Sequence, residues 1–172
     1  MHKAPIYIIG TGLSHNGSAV LLKDGEVCVG IEKERISRIK HDGGNDTQAV
    51  QYCLDMAGIT LEDVSLVVQC ANFEIPSRER YKGERLFASS THPPLINISH
   101  HLAHAYSAAG TCPYNECAIM VIDGCGSPID QCIDTNSGQI TISDEIGLHC
   151  EKDSFYHFDG QRITTLFKLI LN

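Results

Sequence analysis

The segment "YIIGTGLSHNGSAVLLKDGEVCVGIE", residues 7–32, decides the fold class of this chain. It opens with a short apolar strand that runs into glycines and continues with two strands on either side of Asp24 and Gly25. An Asp-Gly pair between apolar runs favours a tight hairpin turn. We therefore predict a strand followed by an antiparallel hairpin in one sheet.

A helix is expected after this hairpin, over residues 45–59. Asn45 or Asp46 can cap its start, apolar residues recur at helical spacing, and Gly58 ends it. Residues 74–92 are polar, basic and poorly periodic, which indicates a surface loop. Helices that alternate with strands are typical of an α/β domain.

Further strands are expected along the second half of the chain. Asp159 and Gly160 repeat the turn signal, and they predict a last hairpin within residues 153–168. Five other segments have the apolar composition of strands: "DVSLVVQCA" (63–71), "PLINIS" (94–99), "CAIMVIDGCG" (117–126), "PIDQCID" (128–134) and "GQITISDEI" (138–146).

Composition restricts the possible function classes. The chain has 172 residues and a formal charge of −8, which argues against a general nucleic-acid binder because phosphate contacts need a basic surface. No apolar run approaches the roughly 20 residues of a membrane span, and no secretion signal is evident. The eight cysteines form no C-x-x-C pair. We expect free, mostly structural thiols in a reducing cytoplasm.

The segment "SHHLAHAYSA", residues 99–108, concentrates three of the nine histidines. Ser99 is a natural N-cap and the apolar residues that follow repeat at helical spacing, so a helix is predicted. His100 and His104 then lie one turn apart on one face, whereas His101 points away from it.

Two imidazoles in this relation can bind one metal ion, but a further ligand is needed. Asp123 is the best candidate, because it ends a strand beside a glycine turn, where α/β folds place ligands. A site made of His100, His104 and Asp123 suits Fe, Zn or Mn. The alternative, a capped surface helix that is rich in histidine, stays open at this point.

Four segments together resemble the N-terminal part of the NodU/CmcH-type O-carbamoyltransferases, which are related to HypF and to TsaD-like enzymes. The resemblance is collinear from roughly residue 6 to residue 168. It rests on "GLSHNGSAVLLKDGEVCVGIEKERISRIKHDGG" (12–44), "QYCLDMAGI" (51–59), "ISHHLAHAYSA" (98–108) and "VIDGCG" (121–126).

The resemblance implies an actin-like ATPase (ribonuclease H-like) lobe with a mixed sheet, hairpins and flanking helices. It also implies transfer of a carbamoyl group from carbamoyl-adenylate, made from carbamoyl phosphate and ATP, to a hydroxyl of a small acceptor. The metal would be held by His100, His104 and Asp123, with iron expected first and zinc or manganese as alternatives.

Other site residues follow from the same resemblance. His15 is the expected catalytic residue, with a polar turn residue as the alternative. Asp123 would also contact the nucleotide cofactor, together with two glycines, Gly124 and Gly126. Four residues of the segment 32–41 would bind phosphate or acceptor oxygens, unless they form only a solvated charged loop: Arg35, Arg38, Lys40 and His41.

Members of this family are several times longer than the chain. We expect residues 1–172 to form an N-terminal lobe only, without the second lobe and the C-terminal adenylate-forming domain. A missing C-terminal half or a partner chain would then be required for activity. The apolar segment 163–171 predicts a homodimer. The alternative functions are a nucleotide-binding, phosphotransfer lobe and a non-catalytic metal- or nucleotide-binding remnant.

Overall fold

The computed structural model describes residues 4–13, 16–44, 46–70, 93–135, 138–143, 147 and 149–171. The chain divides into two compact units, Met1–Asn97 and Ile98–Asn172. The sequence prediction for residues 74–92 lies outside the described residues. Within the described ranges, no helix is long and apolar enough to cross a membrane.

The first unit is built on a five-stranded sheet with the order β3-β2-β1-β4-β5. β1 pairs antiparallel with β2 and parallel with β4. Asp24 and Gly25 both have positive φ, 52° and 90°, as the predicted tight hairpin turn requires. The strands are β1 (Tyr7–Gly12), β2 (Ser18–Lys23), β3 (Glu26–Glu32), β4 (Val64–Cys70) and β5 (Leu95–Ile98).

Two helices accompany this sheet. The short α1 (Lys33–Ser37) follows β3, and α2 (Thr47–Ala57) packs on β2 and β3. Asp46 is the N-cap residue of α2, and Gly58 ends the helix with a φ of 65°, as predicted. The core between helix and sheet contains fully buried side chains from both layers, among them Ile9, Leu21, Val50, Cys53 and Val67.

The second unit has a four-stranded sheet with the order β6-β8-β9-β7. Its strands are β6 (Cys117–Ile122), β7 (Gln139–Ile142), β8 (Cys150–Phe158) and β9 (Ile163–Leu171). β8 and β9 form the predicted hairpin about Asp159 and Gly160. α3 (His100–Thr111) packs on β6 and β8, where Leu102 and Ala105 meet Tyr156.

The prediction for residues 128–146 is wrong in part. Ile129–Gln131 is a 3₁₀ turn rather than part of a strand, and β7 pairs in parallel with β9 instead of with that segment. Pro128 has no N–H to donate to a strand ladder, and it makes only an isolated bridge with Cys150. An alternating apolar pattern therefore occurs here without a partner strand.

The apolar segment 163–171 is not a bare surface within this unit. It is β9, which lies between β8 and β7, and its Ile170 is fully buried. Leu166 is exposed on the same strand. The homodimer stays a prediction. Because β9 is an interior strand of its sheet, most of the segment 163–171 is not available as a dimer surface.

Both sheets begin in the same way. In each, the first strand pairs antiparallel with the first strand of a hairpin, which gives β1-β2-β3 in one unit and β6-β8-β9 in the other, where β7 lies between β6 and β8 in the chain. This arrangement is the one expected of a ribonuclease H-like, actin-like lobe. The predicted α/β class with mixed sheets and flanking helices is confirmed.

Candidate metal centre

The start of α3 is fixed by a cap. Ser99 has extended backbone angles, with φ −70° and ψ 160°, and its hydroxyl accepts a hydrogen bond of 3.3 Å from the N–H of Leu102. The cap satisfies one of the N–H groups that every helix start leaves without a partner. His100 and His104 are four residues apart in this helix and therefore lie on one face.

Three donor atoms converge beside this helix. His100 Nε2 lies 3.1 Å from His104 Nε2 and 2.5 Å from Oδ2 of Asp123, which follows β6. The three ligand atoms all lie within 4.8 Å of one another. Metal–nitrogen bonds of 2.0–2.1 Å place two imidazole nitrogens about 2.9–3.4 Å apart at octahedral or tetrahedral angles. The histidine pair meets that requirement, and the N,N,O donor set suits Fe, Zn or Mn.

The protonation states at this site also suit a metal. Burial lowers the pKa of His100, and His104 lowers it further, although Asp123 acts in the opposite direction. Burial alone would raise the pKa of Asp123, but the N–H of Gly124 and the contact with His100 outweigh it and leave the pKa lowered. A neutral imidazole therefore faces a carboxylate, and these are the forms that bind metal ions.

His101 is separate from the face that carries His100 and His104, as the helical spacing predicts. Its side chain is completely buried, and Nδ1 lies 2.8 Å from the hydroxyl of Ser154. Burial lowers the pKa of His101, so the ring is held neutral. This histidine is part of the core of the unit.

The two predicted cofactor glycines differ in their surroundings. A Cβ at Gly124 would meet nothing within 4 Å, whereas a Cβ at Gly126 would lie 2.7 Å from both Glu151 Cβ and His101 Cδ2. The N–H of Gly124 donates to Asp123 Oδ1, and that of Gly126 donates to the carbonyl of Glu151. Gly126 is thus required for close packing, and the cofactor role of both glycines stays a prediction.

The predicted substrate-binding residues lie in the first unit, on and after α1. Arg35 lies 3.7 Å from the carboxylate of Glu34, and Lys40 Nζ lies 3.2 Å from both of its oxygens. His41 Nδ1 lies 3.0 Å from Asn16 Oδ1, and Arg38 is exposed with a positive φ of 61°. The segment is therefore an organised, internally paired loop. Its contact with substrate stays a prediction, and His15 lies outside the described residues.

A buried ion pair that the sequence did not indicate supports this loop. Lys33 Nζ donates to Asp42 Oδ1 at 3.0 Å and to the carbonyl of Gly43 at 3.3 Å. Both side chains are less than a tenth exposed. Lys33 stands in a charged run, so its sequence gave no signal that it would be buried.

Residues 7–85 match the sequence model that describes the carbamoyltransferase N-terminus. This stretch is similar to the N-terminal part of carbamoyltransferases. The match covers most of the first unit of the fold, including β1 to β4, α1 and α2.

Curated relatives extend the similarity into the second unit. The nodulation protein NolNO of Sinorhizobium fredii is 33% identical over 134 residues, which cover 65% of this chain and 20% of that protein. An uncharacterised protein of Synechocystis is 29% identical over 148 residues, 65% of this chain and 24% of its own length. The chain thus spans about a fifth to a quarter of these relatives. YeaZ from Pseudomonas aeruginosa matches 93% of this chain and 63% of its own, with a TM-score of 0.47 at 13% identity.

A second group of possible ligands is made of Cys132, Asp134 and Glu151. Lys168 already occupies the space between them, since its Nζ contacts Glu151 and lies 2.9 Å from Asp134 Oδ2. Burial raises the pKa of Cys132 far above its usual value, so its thiol stays protonated. This group is an ion-pair network with an ammonium at its centre and is not a metal site.

Sequence reasoning missed Glu151 and Lys168, which are both fully buried. One signal was present: Lys168 is a single cation in the otherwise apolar run "LFKLIL" (166–171). A lone charge in an apolar strand needs a buried counter-charge. The position of that counter-charge depends on the pairing of β8 with β9, which the sequence does not specify.

Proposed function

We propose that this chain supplies the metal-binding part of a carbamoyl-transfer site. In the complete reaction, a carbamoyl group passes from carbamoyl-adenylate, made from carbamoyl phosphate and ATP, to a hydroxyl of a small acceptor. The family match at residues 7–85 supports the transfer of carbamoyl groups. The observation that carries the proposal is the convergence of His100, His104 and Asp123.

Each of the three side chains has a defined part in holding the ion. His100 and Asp123 are half-buried, and their partly desolvated donor atoms would anchor it. His104 is exposed and offers its Nε2 from the solvent side of the helix. Bound iron, zinc or manganese would act as a Lewis acid that polarises a carbonyl or phosphoryl oxygen. The exposed side of His104 leaves room for such an oxygen to approach.

We expect the turn after β6 to contact the nucleotide. Gly124 has open space where a side chain would be, so a phosphate could approach its backbone closely. Its N–H now donates to Asp123 Oδ1. We expect this N–H to turn to a phosphate oxygen when the Asp123 carboxylate is engaged by a metal ion.

A binding experiment tests the proposal without the acceptor. The probe is 5′-O-(N-carbamoylsulfamoyl)adenosine, whose sulfamoyl group replaces the phosphate of the adenylate and carries the carbamoyl group through nitrogen. Calorimetric titration should show tighter binding to the chain loaded with Co²⁺ or Fe²⁺ than to the metal-free chain, and no such difference in His104→Ala. Equal binding with and without metal would contradict the proposal. Preference for Mg²⁺-ATP over the probe would instead support the phosphotransfer alternative.

A further inference from the structure

The carboxylate of Glu151, on β8, joins the two segments that carry the metal ligands. Its Oε2 accepts hydrogen bonds from the backbone N–H of His101, at 3.1 Å, and of Ser127, at 2.9 Å. His101 follows the ligand His100 on α3. Ser127 belongs to the turn that follows the ligand Asp123. One buried oxygen thus holds both segments.

A second hydrogen bond also connects these two segments. The hydroxyl of Ser127 accepts a hydrogen bond of 3.0 Å from the N–H of His100, the residue that begins α3. Gly126 packs so tightly between Glu151 and His101 that a Cβ there would come within 2.7 Å of each. The two segments therefore have little freedom to separate or slide.

The other carboxylate oxygen keeps Glu151 charged. Oε1 accepts from Lys168 Nζ, which also lies 2.9 Å from Asp134 Oδ2 and donates to Tyr156 OH at 2.9 Å. Burial alone would raise the pKa of Glu151, but the attraction of Lys168 outweighs it and leaves the pKa lowered. An ionised carboxylate is an acceptor only, and it can take two N–H groups on one oxygen.

We propose that Glu151 is a positioning residue for the metal centre, with Lys168 as the counter-charge that keeps it ionised. By accepting hydrogen bonds from the N–H groups of His101 and Ser127, Glu151 fixes the position of His100 relative to Asp123. Their ligand atoms are then held close enough to bind one ion. The inference rests on the proposed metal site, and it concerns a residue that does not touch the ion. Loss of such outer partners typically weakens metal affinity by about 10- to 100-fold.

Two matched double variants separate the hydrogen bonds from the charges. Glu151→Gln with Lys168→Met removes both charges but keeps an amide oxygen that can accept from His101 and Ser127. Glu151→Met with Lys168→Met removes the same charges and the acceptor as well. Both variants also lose the contact of Lys168 with Asp134. That loss is the same in the two proteins, so the difference between them reports the acceptor at position 151 alone.

Co²⁺ titration and amide hydrogen exchange are the two measurements. The Gln/Met variant should bind Co²⁺ within about threefold of wild type and keep the same visible spectrum. The Met/Met variant should bind about tenfold more weakly or worse, with a changed spectrum and faster exchange at the amides of His101 and Ser127. Equal affinity, spectra and exchange in the two variants would overturn the positioning role.

The exchange measurement also distinguishes the two proposals. A wild-type chain that binds no Co²⁺ would contradict the metal site, and exchange at His101 and Ser127 alone would then decide whether Glu151 positions these segments. If the Met/Met variant does not fold, Ser127→Ala replaces it, because this change removes the acceptor of the His100 N–H. It should weaken Co²⁺ binding several-fold, with recovery in Ser127→Thr. Unchanged binding in Ser127→Ala would reject the link.

Discussion

His100 and Asp123 meet at 2.5 Å, Nε2 to Oδ2, and so connect the first residue of α3 to the first residue after β6. Neither ligand depends on a loop tip for its place, because a capped helix and a strand end hold them. Sites built on regular elements keep their geometry better than sites built on loops. The predictions below start from this contact.

Metal binding should depend on the helix face rather than on histidine content. His100→Ala and His104→Ala should each lower metal stoichiometry or affinity by at least about tenfold, because two remaining ligands rarely retain an ion. Elemental analysis after dialysis measures this. His157→Ala is the control, since His157 lies on β8 and contacts Glu116 instead. Equal metal content in all three variants would contradict the assignment.

His101→Ala should destabilise the fold without removing the metal ligands. The imidazole is completely buried and bonded to Ser154, so the change leaves a cavity and breaks a buried hydrogen bond. We expect a loss of about 2–3 kcal/mol in the free energy of unfolding, measured by urea denaturation. The folded fraction should still bind Co²⁺. A variant as stable as wild type would show that this ring is not part of the core.

Stability should fall in acid partly through Glu151. Its pKa is lowered in the folded chain relative to the ordinary value of 4.5, so the unfolded chain binds more protons as the pH falls through that value. Its contribution is therefore complete above about pH 5 and is lost below it, at up to about 1.4 kcal/mol per pH unit. Other carboxylates with lowered pKa values act in the same direction.

The contribution of Glu151 can be measured by urea denaturation at several pH values between about 6 and 3.5. Wild type is compared with the Glu151→Gln, Lys168→Met variant. The variant should show a shallower decline, because it lacks the titrating group. Parallel declines in the two proteins would mean that the pair contributes no pH dependence.

Cysteine reactivity should follow burial. Cys28 and Cys125 are exposed, whereas Cys53 and Cys132 are buried, and burial raises the pKa of both buried thiols. Alkylation depends on the thiolate, so the exposed pair should react first with iodoacetamide near pH 8. Mass spectrometry of the digested chain gives the order. Rapid labelling of Cys132 in the native chain would show that the second unit opens more readily than its packing indicates.

The pairing of Lys33 with Asp42 should matter far more than that of Lys40 with Glu34. Lys33→Met leaves Asp42 buried without its ammonium, which typically costs about 3–5 kcal/mol. Lys40 is mostly exposed, so Lys40→Met should cost less than about 1 kcal/mol. Thermal and urea unfolding compare the two variants. If both variants lost less than about 1 kcal/mol of unfolding free energy, the Lys33–Asp42 pair would behave like a solvent-exposed ion pair.

Local signals in the sequence predicted much of the fold. The Asp-Gly turns predicted both hairpins, Ser99 predicted the start of α3, and Gly58 predicted the end of α2. Each of these features depends on residues that are near one another in the chain. The spacing of His100 and His104 is of the same kind, which is why their position on one face of α3 could be predicted.

The remaining features depend on partners distant in sequence. The "PIDQCID" segment has a strand pattern, but Pro128 and the pairing of β7 with β9 decide its structure. Glu151 meets Lys168 only because β8 and β9 pair in one register, so no local pattern identifies them. The position of Asp123 at a strand end identified it as a candidate ligand, and the family resemblance implied the same role. Neither indicated the buried contacts of Glu151 and Lys168.

The place of Lys168 on β9 has a consequence for how the protein is made. All three ligand residues leave the ribosome before Lys168 does, by roughly a few seconds at ordinary rates of synthesis. Until then Glu151 has no counter-charge, and burial of its lone carboxylate would be strongly unfavourable. We expect ribosome-bound chains that end before β9 to show little Co²⁺ affinity, and capture of the ion to follow translation of that strand. The metal site would then form only after β9 has been synthesised.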